Sequence, residues 1–328
     1  MKQGSVIGLT LGDINGIGPE IALKAARQKW PGAARIVLIG DSPWSALQRL
    51  PAWDPAHTAR PAHAVTIWRP DTGLPSPVYK PGHIRADAAR AAHAWIVAAT
   101  HAAMAGRLDA IVTAPICKEG FMRAGLAAPG HTELLAALTG TKRYDMMLLS
   151  DDFRVTIATR HVPIRAVASH LSRTGIEDTI RMTHDALAWL GLRKRRIAVC
   201  GLNPHAGDGG AIGREDQTLV APAVRAAQQQ GVAASGPLPA DTVFYQARTG
   251  AFDAVVAMYH DQGLAPFKMF AFEKGVNLTL GLPLVRTSPD HGTAFDKAGR
   301  NRANPSSMIE AVKLAIRLAG RPNPWRRA

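Results

Sequence analysis

The chain has 328 residues, 47% of them apolar and 20% charged, a length that suits two domains or one large α/β unit and a balance that excludes a disordered or fibrous protein. Its formal charge of +14 favours anionic partners, but the basic residues are dispersed, and the clusters Arg193 to Arg196 and Arg326–Arg327 carry no interleaved aromatics, so nucleic acid is not the expected partner. No apolar run approaches the roughly 20 residues that span a bilayer, and Cys117 and Cys200 alone make no disulfide framework or thiolate metal site, which fits a reducing cytoplasm.

From the N-terminus, Met1 leads directly into a strand-like run, Ser5 to Leu11, without a leader pattern. A helix follows from Pro19. Arg35 to Ile39 reads as a second strand with a helix from Ser42, and the Pro- and His-rich stretch from Leu50 to Pro81 reads as irregular apart from a short strand near Val65 to Trp68. Arg85 to Leu108 is an Ala-rich amphipathic helix ending near Gly106, and it leads into a strand at Ala110 to Thr113. Further strands are predicted at Met146 to Leu149, Val155 to Ala158, Ile197 to Cys200, Ala254 to Met258 and Val276 to Leu280, with a last helix over Ser306 to Leu318. Short β-rich runs alternating with helices predict an α/β fold with a covered, largely parallel sheet. Pro and Gly cluster at Ala127 to Gly130 and at Arg300 to Pro305, where the chain is expected to cross between two lobes: 1–126 with 301–328, and 127–300.

The segment Gly12-Asp-Ile-Asn-Gly-Ile-Gly-Pro-Glu20 lies between a strand and a helix, and its amides suit an anion. It matches neither nucleotide fingerprint, because Gly16-x-Gly18 lacks a third glycine and no Gly-Lys-Ser/Thr follows. Three turns after predicted strands each carry a histidine: His161, His205 and His260. Such strand ends gather ligands in open α/β sheets, and three converging imidazoles would hold a divalent metal with positions left for substrate. Among 12 histidines, each alone is equally well a surface residue.

Pro129-Gly-His131-Thr132-Glu133 opens a further helix, where Thr132 suits a cap and His131 with exposed amides suits an anionic substrate group. Lys268, Asn277 and Arg286 supply a point charge, an amide and a planar fork, a set that suits phosphate or, equally, solvated surface. Asp290-His291-Gly292-Thr293-Ala294 begins a Gly-containing loop ahead of the last helix.

Together Gly12-Asp13 with Gly16-Ile-Gly-Pro-Glu20, Gly130-His-Thr-Glu133, Gly201-Leu-Asn-Pro-His-Ala-Gly207, Gly236-Pro-Leu-Pro-Ala-Asp-Thr242, Tyr259-His-Asp-Gln-Gly263 and His291-Gly-Thr-Ala294 resemble the 4-hydroxythreonine-4-phosphate dehydrogenase family of vitamin B6 synthesis, collinearly over nearly the whole chain. The resemblance implies two α/β/α lobes of the isocitrate-dehydrogenase-like type and a homodimer with its active site in the interlobe cleft at the dimer interface. It also implies NAD- or NADP-dependent oxidation of 4-phosphohydroxy-L-threonine followed by decarboxylation to 3-amino-2-oxopropyl phosphate.

By the same resemblance a divalent ion (zinc, magnesium, cobalt or manganese) falls to His161, His205 and His260, one of them from the partner subunit. The phosphorylated acid falls to His131, Thr132, Lys268, Asn277 and Arg286, and the cofactor to the loop Asp290, His291, Gly292, Thr293, Ala294. Asp241 or Asp261 is the expected proton acceptor, with Asp261 favoured as the orienting partner of His260. The departure is Ile14-Asn15, where the family usually has Pro-Ala. Related branches act on D-threonate or D-erythronate 4-phosphate or on an aromatic dihydrodiol, and acyltransferases of the phosphotransacetylase type share the lobe architecture.

Overall fold

Among the described residues of the computed structural model, which are 4–58, 60–127 and 130–326, eleven strands form, most of them short runs of buried aliphatic side chains. In chain order these are β1 Val6–Thr10, β2 Arg35–Ile39, β3 Val65–Trp68, β4 Ala110–Thr113, β5 Asp145–Leu149, β6 Arg154–Ile157, β7 Ile197–Cys200, β8 Ala234–Leu238, β9 Ala254–Ala257, β10 Val276–Leu280 and β11 Arg286–Pro289. Pro129 and Arg327, named above in two sequence motifs, lie outside the described residues.

The chain divides into two compact units, Met1–Lys142 with Leu282–Ala328, and Arg143–Gly281. Ala127 and Gly130, and the Pro/Gly stretch at 300–305, fall inside the first. In that unit β3, β2, β1, β4 and β11 pair side by side, all parallel. The long helix Ala86–Met104 packs on β1 and β4, and the last helix, Ser306–Ala319, packs on β4 and β11. In the second unit β6, β9, β7 and β8 are parallel, while β5 runs antiparallel to both β6 and β10.

The second unit shows why its strands read as unbroken apolar runs. Along β7, Ile197 and Val199 join one core with helices Arg173–Trp189 and Ala221–Gln229, while Ala198 and Cys200 join another with helices Ala240–Arg248 and His260–Ala271. Both faces are covered, so alternation between apolar and polar residues disappears.

Four differences between the sequence reading and the structure bear on the sheet and the histidine segments. Strand β8, Ala-Ser-Gly-Pro-Leu, was not predicted; it lies at the sheet edge, where Pro237 removes no ladder hydrogen bond. Strand β11, Arg-Thr-Ser-Pro, is polar in sequence but wholly buried, with the Thr287 hydroxyl donating to the Ala311 carbonyl at 2.8 Å. The helix expected from Ser42 shrinks to Ser45–Gln48. Tyr259-His260-Asp261 is not a free turn but the start of helix His260–Ala271, with Tyr259 as its cap.

Candidate active site

In the first unit the glycine-rich loop runs from β1 into helix Gly18–Ala26, with Pro19 in the first turn. Asn15 is fully buried. Its Nδ2 donates to the Val78 carbonyl at 3.3 Å and its Oδ1 accepts the Lys80 N–H at 2.6 Å, so this side chain fastens the 78–82 strap to the loop. On the other side, the Ile17 N–H donates to the Thr293 carbonyl at 2.9 Å. A Cβ on Gly16 would come within 2.8 Å of that same oxygen, which explains the glycine. Glu20, also buried, accepts the Ala303 N–H at 2.6 Å and the Lys24 ammonium at 2.7 Å, and Lys24 in turn donates to the Ala303 carbonyl at 3.0 Å. The loop carrying Asp290, His291, Gly292, Thr293 and Ala294 is thereby held at both ends, with the Asp290 N–H on the Ser307 hydroxyl at 3.1 Å and Ala294 at φ 41°.

Burial raises the Asp13 carboxyl from 3.8 to about 6, against the lowering effect of the Asn15 N–H that it accepts at 2.9 Å. The folded state therefore binds this proton more tightly than the unfolded chain. Its contribution is present below about pH 4 and lost as the pH rises through 6, a difference of about 3 kcal/mol at 1.36 kcal/mol per unit. Asp13→Asn keeps the acceptor oxygen and removes the charge. It is expected to raise the unfolding free energy by up to about 3 kcal/mol at pH 8 and hardly at all at pH 4; denaturant titrations at the two pH values check this, and equal increments would refute it.

Also in the first unit, Arg286 at the start of β11 is 2% exposed and donates from Nε and Nη2 to the Thr113 hydroxyl at 3.1 and 2.7 Å. Burial lowers its guanidinium to about 10, with the Glu133 charge acting in the opposite sense, so it stays cationic at neutral pH. His131 begins helix His131–Leu138, and its Nε2 is buried without a hydrogen-bond partner. Burial first, then the positive charges of Arg286 and Lys118, hold this imidazole well below its ordinary range. The result is a neutral ring beside buried and exposed cations, a setting for an anion. Thr132 lies half-buried in the first turn; the cap is the backbone of Gly130, with no side-chain capping bond, so the expected capping role of Thr132 is not seen.

In the second unit His161 and His260 face each other with ring centroids 5.4 Å apart. The Nδ1 of His260 is hydrogen-bonded to Asp261 Oδ1 at 2.7 Å. A carboxylate can only accept, so Nδ1 carries the proton and the Nε2 lone pair is the one available to a metal. His205 lies exposed in a separate turn, its Nδ1 3.7 Å from Asp208 Oδ2, and no group of three His, Cys, Asp or Glu able to hold a metal forms among the described residues of one chain. Asp241 is exposed in the first turn of helix Ala240–Arg248. Lys268 is half-buried on helix His260–Ala271, and Asn277 on β10 donates from Nδ2 to Met146 Sδ at 2.6 Å while its Oδ1 is buried without a partner. The donor chemistry of the His161–His260 pair, with one ring already oriented by a carboxylate, fits a divalent transition metal.

Thr113, Asn15, Asp216 and Gln262 were not singled out from sequence. Only Asn15 left a trace there, as a departure from the usual glycine loop. Thr113 meets the Arg286 side chain 173 residues away, and Asp216 and Gln262 act through backbone groups of other segments.

Residues 33–315 match the family described as pyridoxal phosphate biosynthetic protein PdxA. A 4-hydroxythreonine-4-phosphate dehydrogenase of Desulfosudis oleivorans is 45% identical over 96% of this chain and 96% of its own. A D-threonate 4-phosphate dehydrogenase of Pectobacterium atrosepticum is 42% identical over 96% of this chain and 99% of its own. The crystal structure of 4-hydroxythreonine-4-phosphate dehydrogenase from Klebsiella pneumoniae superimposes with a TM-score of 0.83 at 40% identity, covering 96% of this chain and 98% of that one. A β-decarboxylating dehydrogenase from Thermococcus kodakarensis, at 15% identity and a TM-score of 0.53 over 97% of this chain and 85% of its own, shares the fold.

Proposed function

The chain belongs to the PdxA family, and from that premise we propose that it is a nicotinamide-dependent dehydrogenase that oxidises and decarboxylates 4-phosphohydroxy-L-threonine in pyridoxal phosphate biosynthesis. The observation that carries the site is the His161–His260 pair with Asp261 on His260 Nδ1. His161, His205 and His260 hold a divalent cation, one of them supplied by a second copy of the chain. The exposed apolar side chains Tyr245, Met269, Phe270 and Phe272 support association into a homodimer.

When bound, the cation polarises the substrate's secondary hydroxyl and stabilises the negative charge left by decarboxylation. Asp290, His291, Gly292, Thr293 and Ala294 would hold NAD or NADP, which would supply the hydride acceptor. His131, Thr132, Lys268, Asn277 and Arg286 grip the phosphorylated acid, and Arg286, buried and charged, is suited to a fork on phosphate or carboxylate. Asp241 or Asp261 takes the hydroxyl proton as the C–H bond gives up its hydride. The ketone formed is β to a carboxylate, so the C–C bond to that carboxylate then breaks, carbon dioxide leaves, and the enolate so generated takes a proton to give 3-amino-2-oxopropyl phosphate.

A second reading, oxidation of D-threonate or D-erythronate 4-phosphate, is favoured by the likeness to the Pectobacterium enzyme. NAD(P) reduction assays with phosphohydroxythreonine and the two sugar-acid phosphates, with and without added divalent metal, separate the readings. The largest kcat/KM is expected with phosphohydroxythreonine, with activity lost on chelation and restored by metal. A higher kcat/KM with D-threonate 4-phosphate would select the second reading, and indifference to chelation would remove the metal from both.

A further inference from the structure

The turn that carries His205 is conformationally expensive. His205, Ala206, Gly207, Asp208 and Gly209 all have positive φ, between 48° and 82°. Left-handed backbone costs about 1–2 kcal/mol for each non-glycine residue and is rarely sustained over neighbours, so the surroundings must impose it. One constraint is the buried Asp216. Its Oδ1 accepts the Leu202 N–H at 2.7 Å, and its Oδ2 accepts the Asn203 N–H at 3.0 Å and the Asn203 Nδ2 at 3.1 Å.

The second constraint comes from the other histidine turn. Gln262, in the first turn of helix His260–Ala271, reaches back to accept the Met258 N–H on Oε1 at 2.6 Å and donates from Nε2 to the Gly201 carbonyl at 2.7 Å. Gly201 lies directly under the strained turn: a Cβ there would stand 2.7 Å from Ala206 Cα. One amide side chain therefore spans the start of the His260 helix and the floor of the His205 turn, using its acceptor on one and its donor on the other.

We propose that Gln262 is a positioning residue that sets the His205 turn against the His260 helix start, and so fixes the spatial relation of two metal-binding imidazoles on one chain. The inference rests on the metal-binding reading given above. An amide is the side chain for this task because it donates and accepts at fixed spacing; Glu of the same shape can still accept from Met258 but repels the Gly201 carbonyl.

The test is Co(II) titration of the full-length protein, followed by the visible ligand-field spectrum and by calorimetric melting, for the parent, Gln262→Glu, Gln262→Met and His260→Ala. Loss of an outer contact of this kind costs 10- to 100-fold in metal affinity. Both Gln262 variants are expected to bind Co(II) 10- to 100-fold more weakly and with an altered spectrum, while melting within a few degrees of the parent. Parent-like Co(II) affinity and spectrum in both variants would overturn the positioning role. So would unfolding of both, which would assign Gln262 to the stability of the unit. The underlying reading fails separately, if the parent binds Co(II) no better than His260→Ala.

Discussion

Replacing His205, a proposed metal ligand, by alanine is expected to abolish divalent-metal binding and to lower kcat by about a thousandfold or more, with the fold intact. The magnitude follows from the several kcal/mol of charge stabilisation that a Lewis acid supplies to such a reaction, at 1.36 kcal/mol per tenfold in rate. Stability should be spared for structural reasons. The imidazole is exposed, it belongs to neither core of the second unit, and alanine inherits the same left-handed backbone at φ 51°. Elemental analysis of the purified variant, paired with a melting curve, reads both halves of the expectation. Metal content equal to the parent's would remove His205 from the ligand set.

Arg286→Ala is expected to act on substrate binding instead. Each charge-assisted hydrogen bond to a buried anion is worth about 1.5–3 kcal/mol, and a planar fork makes two, so KM should rise about 10²- to 10⁴-fold with a smaller change in kcat. Arg286→Lys, which returns the charge without the fork, should recover part of that loss. Stability should move less than binding. The parent already bears the penalty of a buried cation, visible in the guanidinium's descent to about 10, and removing it offsets part of the packing lost. A second readout is independent of turnover: with one of its neighbouring cations gone, the His131 imidazole should titrate closer to its ordinary range than in the parent, where Arg286 and Lys118 both depress it. Steady-state kinetics and histidine NMR titration check the two. An unchanged KM would separate Arg286 from the substrate.

Much of the fold was legible because the strands of covered sheets are short aliphatic runs bounded by glycine and proline. β1, β2, β4, β7, β9 and β10 all stand close to where the residues alone put them. β11 was not legible, since nothing local marks Arg-Thr-Ser-Pro as a buried strand; its burial comes from parallel pairing with β4 and from the helix Ser306–Ala319 lying on it. The candidate site divides in the same way. Residues that stand in long collinear motifs could be named from the sequence, because spacing within a turn survives in one dimension. Thr113 under Arg286 and Gln262 beneath Gly201 could be given no role, since each meets a partner far away along the chain, and Asp216 holds Leu202 and Asn203 from 14 and 13 residues downstream.

The sequence by itself determined the alternation of strand and helix and the family, and it named the candidate side chains for a cation, an anion and a nicotinamide, because these depend on composition and local order. Tertiary structure alone decided that His161 faces His260, that Arg286 keeps its charge while buried, that Asn15 fastens the 78–82 strap, and that Gln262 joins two histidine turns. Those facts depend on distances and on exclusion of water, and both are set only when segments remote in sequence pack together.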